Sequence, residues 1–124
     1  MFSKKTEEVE SLIGPNSEFR GDLNVKGELK VDGTIIGIVK ADSVVLGQTA
    51  TVKGDITAKK IIAEGKVDGN LKAEEIVEIK STGKVLGDIF TKKISIMEGG
   101  VVNAKVEMKV DESKVAEVGP MTKV

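Results

Sequence analysis

The chain of 124 residues contains no cysteine, no histidine, no tryptophan and no tyrosine, and only three phenylalanines. Without cysteine, disulfides and thiol chemistry are impossible. Without histidine, the commonest general base and the commonest metal ligand are also missing. The formal net charge is -1, from 19 basic and 20 acidic side chains, so no cationic excess is available to hold phosphate backbones. The shortage of rings removes the stacking platforms that bind single strands. No run approaches the roughly 20 apolar residues of a membrane span, and no apolar stretch resembling a secretion signal follows the first lysines. The expectation is a cytoplasmic protein without cofactor or metal, not an enzyme, and without nucleic acid or nucleotide as partner.

What is present is a repeat. Thr51-Val52-Lys53-Gly54-Asp55-Ile56, Lys66-Val67-Asp68-Gly69-Asn70-Leu71 and Lys84-Val85-Leu86-Gly87-Asp88-Ile89 are versions of one segment. Glu18-Phe19-Arg20-Gly21-Asp22-Leu23 and Ile35-Ile36-Gly37-Ile38-Val39 are weaker copies. The glycines at 21, 37, 54, 69 and 87 are separated by steps of 16, 17, 15 and 18. A second unit lies between them: Ala41 to Leu46, Ala58 to Ala63, Ala73 to Ile79 and Thr91 to Ile96. Each begins with a small residue, continues with polar residues and ends in an apolar stretch. A further series, Gly47, Gly65, Gly83 and Gly99, closes these stretches.

Within each unit apolar and polar residues alternate, the period-2 signature of a strand, and helical spacing is not sustained. Glycine takes positive φ most cheaply, which suits a chain that must bend every few residues. Asp32-Gly33 and Asp68-Gly69 would serve hairpins, but the repeating element is the whole unit of about sixteen residues. The pattern predicts an all-β chain, a three-sided parallel β-helix making one turn per repeat. Val52, Val67 and Val85 are expected to stack as one internal ladder about 4.8 Å apart, and Ile56, Leu71 and Ile89 as a second. Three thin sides leave room for aliphatics and little for rings.

These features resemble the bactofilins, a bacterial cytoskeletal family. The likeness is carried by the Gly-Asp-Ile/Leu copies at Gly21, Gly54 and Gly87 and by the alternating Val-x-Gly runs. The opening Met1-Phe2-Ser3-Lys4-Lys5 and the closing Gly99 to Met108 match as well. The resemblance implies a right-handed solenoid of about six coils. It implies nucleotide-free polymerisation into non-polar filaments, joined head-to-head and tail-to-tail. It also implies a peripheral place on the inner face of the cytoplasmic membrane, in support of cell shape or in localising cell-envelope enzymes. Val102 stands where family members often carry an aromatic. Three segments are expected: an N-terminal tail over 1–13, the β-helix over 14–108 and a disordered tail over 109–124.

The open ends of a β-helix expose unpaired backbone groups and the last apolar layer. Pro15 precedes the first expected coil, and Val9, Leu12 and Ile13 carry a weak helical pattern that would partly shield that end. The expected polymer contacts are Phe19, Leu23 and Val25 at the N-terminal end, and Val101, Val102, Val106 and Met108 at the other. The alternative for each is an ordinary core residue. In the tail, Met1, Phe2, Lys4 and Lys5 are the expected membrane contact, each lysine contributing about 1 kcal/mol near anionic headgroups. Glu7, Glu8 and Glu10 dilute that charge, and an inert tail is the alternative.

Two rival classes remain, a monomeric binding solenoid and a hexapeptide-repeat acyltransferase. Leu46 to Val52 fits one hexapeptide, but the six-residue step fails at Ala58 and Glu64, and such enzymes generally use a histidine. Gly65-Lys66 and Gly83-Lys84 imitate a P-loop ending. Val67 and Val85 stand where Ser or Thr is required, and Lys60 and Glu78 where the first glycine is required. Asp22, Asp55 and Asp88 suggest a calcium ladder, yet the Gly-Gly-x-Gly-x-Asp pattern is missing and solvated corners are expected instead.

Overall fold

The structure, a computed structural model, describes residues 11–108. Over that span the chain winds into a parallel β-solenoid of about six turns. Its strands in order are β1 (Ser11–Ile13), β2 (Glu18–Asn24), β3 (Glu28–Val31), β4 (Thr34–Lys40) and β5 (Ser43–Leu46). β6 (Thr51–Ala63), β7 (Lys66–Asp68), β8 (Leu71–Ile79), β9 (Lys84–Ile96) and β10 (Val101–Met108) complete it. Every strand pairing is parallel, and each strand lies on the one a coil earlier. Long strands such as β6 bend through corners and so contribute to all three faces.

The register confirms both expected ladders and extends them. On the first face Phe19, Ile35, Val52, Val67, Val85 and Val102 stack in one column. On the second, Leu23, Val39, Ile56, Leu71, Ile89 and Val106 do the same. The third face supplies Ile13, Val31, Leu46, Ala63, Ile79 and Ile96. In the middle coils these side chains are fully buried, each contributing roughly 1.5–3 kcal/mol for a Val, Ile or Leu. Thr91 is the one buried polar residue among those described. It continues the small ladder of Ala58 and Ala73, and its hydroxyl donates to the Lys93 carbonyl at 3.0 Å.

The corner between the first two faces needs glycine. Gly54 has φ +139°, and a Cβ added there would overlap the Gly37 carbonyl oxygen one coil below. The residue after it explains why Asp or Asn follows. Asp55 Oδ1 accepts the Asn70 backbone N–H at 3.3 Å, and Asn70 Oδ1 accepts the Asp88 N–H at 3.2 Å. Side chains thus replace backbone acceptors that the bend turns away.

The uneven steps of the repeat come from the other corners. Asp32-Gly33 and Glu64-Gly65 are short connections, whereas Gly47 to Ala50 and Lys80 to Gly83 form turns closed by Ala50 N–H to Gly47 O and Gly83 N–H to Lys80 O, at 3.0 and 2.9 Å. Thr49 and Thr82 on these turns donate to the carbonyls of Asp32 and Glu64 on the short corners beneath, at 2.6 and 2.8 Å. At Glu74-Glu75 an extra residue shifts the register of β8 against both neighbours.

The N-terminal boundary differs from expectation. The solenoid begins at Ser11 and not at residue 14, because Leu12 and Ile13 form strand β1 on β3 in place of a helical cover. Strand pairing beneath an open sheet edge overrides so short a helical pattern. Pro15 therefore lies inside the first coil, in the turn closed by Ser17 N–H to Gly14 O at 3.1 Å. The tail residues Met1, Phe2, Lys4 and Lys5, and the expected C-terminal tail over 109–124, lie outside the described residues.

Candidate functional site: the two solenoid ends

The chemistry of the lateral surface is sparse. Among the described residues no group of three carboxylates, histidines or cysteines is placed to hold a metal ion. Asp22, Asp55 and Asp88 alternate along their column with Ile38 and Asn70, so successive carboxylates stand two rungs apart. Gly65-Lys66 and Gly83-Lys84 are corners that lead into β7 and β9. No buried side-chain polar atom among the described residues lacks a hydrogen-bond partner.

The ends are different. In the second-face ladder Val39, Ile56, Leu71 and Ile89 are buried, yet Val106, one rung further, is 39% exposed. In the third-face ladder Leu46, Ala63 and Ile79 are buried and Ile96 is 49% exposed. Met97 and Met108 are exposed beside them. Among the described residues β10 pairs only with β9, so the outer edge of Val101–Met108 is left with unpaired backbone donors and acceptors. The N-terminal end repeats the arrangement. Phe19, Leu23 and Ile13 are the first rungs of their ladders and are only half-buried, as is Val25 beside them.

The expected contact residues therefore divide. Phe19, Leu23, Val102 and Val106 are terminal rungs of internal ladders, and Met108 caps the column of Ala58, Ala73 and Thr91. Val101 belongs to an outward column above Lys84 and faces sideways. The third face contributes Ile13, Ile94, Ile96 and Met97, which the repeat alone did not single out. Counting ladders to their last rung would have found Ile96, since Thr91 to Ile96 is already a visible copy. Ile13 sits outside every visible copy.

Residues 11–107 match the model of the bactofilin family, described as polymer-forming cytoskeletal. The chain belongs to the bactofilin family. Two bactofilins of Myxococcus xanthus are similar to it: BacO, 28% identical over 103 residues, and BacP, 28% identical over 99. The first alignment covers 82% of this chain and 82% of BacO, the second 79% of this chain but only 41% of BacP. Among solved structures, the bactofilin of Thermus thermophilus, reconstructed as double helical filaments, superposes with a TM-score of 0.68 at 24% identity. That alignment covers 78% of this chain and 99% of the Thermus chain, and it establishes the shared fold. Among the described residues, the bactofilin solenoid ends at both poles on partly exposed apolar rungs.

Proposed function

We propose that the chain is a cytoskeletal scaffold that polymerises by stacking solenoid on solenoid, without nucleotide, into filaments that lack polarity. The observation that carries this reading is the exposure of the last rungs, Val106 and Ile96, on ladders that are otherwise buried. A β-solenoid edge presents a row of N–H and C=O groups ready to pair with another strand. Joining two ends removes apolar side chains from water and satisfies both backbones at once. Burial of the end rungs and pairing of the edges are themselves the driving force of that step, so on this reading assembly needs no nucleotide and the chain acts as a scaffold and not as an enzyme.

Like-to-like joining is isologous, with the same patch on both subunits. On β10, Lys105 and Glu107 flank Val106 on the outward side. Antiparallel pairing about Val106 sets Lys105 opposite Glu107 of the second copy, so the C-terminal edge complements itself.

The tail gives the polymer its place. Phe2 enters the interface of the cytoplasmic membrane while Lys4 and Lys5 meet anionic headgroups. One tail binds weakly, and a filament multiplies the contact. On that inner surface the polymer supports cell shape and localises envelope enzymes.

The test is Val102→Asp, which puts a charge on the terminal rung of the first ladder. Light scattering is expected to report short soluble species, with the β-sheet circular dichroism unchanged. Undiminished filaments would contradict the assignment of this end as a junction.

A further inference from the structure

The corner between the second and third faces is the cationic edge of the first coils. Lys26, Lys40 and Lys59 are exposed there and line one groove, floored by Val25, Ala41 and Ala58. The floor is held by Val25 N–H to Lys40 O and Ala41 N–H to Thr57 O, at 2.8 and 3.1 Å. Among the described residues none of these three lysines forms an ion pair. Of the two carboxylates in the groove, Asp42 accepts the Gly27 N–H at 3.0 Å, and Glu74 stands at the far end, one coil beyond Lys59. The other two corners carry carboxylates over the same coils. Asp22 and Asp55 follow the glycines of one, and Asp32 and Glu64 stand at the other.

Strand β1 starts at this cationic edge. Ser11 pairs with Leu29, so it stands where the third face begins, one rung beneath the coil of Lys26. The sequence before it is Thr6-Glu7-Glu8-Val9-Glu10, with three carboxylates and no cation. We infer that this acidic segment docks along the lysine groove of its own chain. Val9 lies over the floor of Val25 and Ala41, and Glu7, Glu8 and Glu10 stand among Lys26, Lys40 and Lys59.

The lengths agree. Four extended residues span about 13 Å, and the three rungs from Ser11 to the coil of Lys59 rise about 14 Å. The long side chains of lysine and glutamate close the difference. Glu74 then repels any further advance and ends the dock. Each ion pair is weak in water, but the segment is tethered to the groove it fills, at an effective concentration on the order of millimolar.

The other courses open to the segment are worse. Across the pole, its glutamates would cover Phe19 and Leu23 and lose water without a partner. Continued as a strand in line with β1, it would place Glu10 beneath Glu28, like charges on adjacent rungs. Docking at the corner leaves the rungs of Phe19 and Leu23 open and carries Met1 to Lys5 out at the side of the solenoid. It also offsets the three glutamates that oppose Lys4 and Lys5. The dock itself rests on neither end-to-end stacking nor membrane contact.

Cysteine crosslinking tests it, since the native chain has no cysteine. A full-length Glu7→Cys/Lys40→Cys chain is oxidised, and the internal disulfide is read as a faster-migrating monomer on a non-reducing gel. It is expected to form at least about tenfold faster than in Glu7→Cys/Lys53→Cys, whose second cysteine lies on the first face of the coil that carries Lys59. Adding Lys26→Glu and Lys59→Glu is expected to remove that advantage with the β-sheet spectrum intact, and so is about 1 M salt, which screens charges beyond roughly 3 Å. Equal rates for the two pairs, or an advantage that survives either treatment, would overturn the proposal. Mixed single-cysteine chains, Glu7→Cys with Lys40→Cys, give no dimer if the dock is internal. A dimer in place of the internal disulfide would make a second copy the occupant and would also overturn it. None of these outcomes bears on end-to-end stacking, which is read separately from filaments in the microscope.

Discussion

Ala104 stands directly on Gly87, one rung above the last glycine of a corner column that runs through Gly21, Gly37, Gly54 and Gly69. The interior of that column tolerates no side chain, whereas its terminal rung carries a methyl group. Gly54→Ala places a Cβ against the Gly37 carbonyl at a φ that L-residues avoid. The expected loss is at least about 2–3 kcal/mol. Ala104→Gly is expected to change stability by less than about 1 kcal/mol. Denaturant unfolding of both variants side by side checks the contrast.

Val67 and Asp68 are neighbours in sequence and opposites in environment, the first 1% exposed on the internal ladder and the second in solvent. Val67→Asp buries an unpaired carboxylate between Val52 and Val85 and is expected to cost more than about 4 kcal/mol, enough to prevent folding. Asp68→Lys is expected to stay within about 0.5 kcal/mol of the native chain. Circular dichroism with thermal unfolding separates the two.

The internal ladders of the first two faces were legible in the sequence because Val-x-Gly-Asp-Ile ties the inward positions to a glycine whose spacing can be followed. The contribution of the third face to the ends was not. Ile13 lies in a three-residue strand that is too short to show a period and acquires its identity only by pairing with Val31. The irregular steps also resisted reading. Whether a corner is Asp32-Gly33 or the four residues from Gly47 to Ala50 depends on how Thr49 caps the carbonyl beneath it, a contact 17 residues away. The sequence pattern marks Asp55 as a solvated corner and assigns Asn70 no role. Their side chains are acceptors for the next coil, which a one-dimensional pattern does not display.

Asn70 offers a direct check of that corner role. Asn70→Ala removes the acceptor of the Asp88 N–H and is expected to cost about 1 kcal/mol, the net worth of a partly solvated hydrogen bond. Asn70→Asp keeps an acceptor oxygen, as Asp55 does one coil below, and is expected to retain most of that stability. Paired denaturation midpoints decide between them.

Membrane attachment through the tail has its own test. Deleting residues 2–5 removes Phe2, Lys4 and Lys5. It is expected to abolish co-sedimentation with anionic liposomes while filaments persist. Raising salt should weaken binding of the full chain, since headgroup attraction is screened within a Debye length. Unchanged co-sedimentation of the deleted chain would exclude the tail as the contact.

The exposed last rungs at Val106 and Ile96 are tested most directly by negative-stain electron microscopy of the purified full-length chain without nucleotide or metal. End-to-end stacking predicts filaments under those conditions, lengthening with concentration. A homogeneous monomer at high concentration, with the β-sheet spectrum intact, would contradict it.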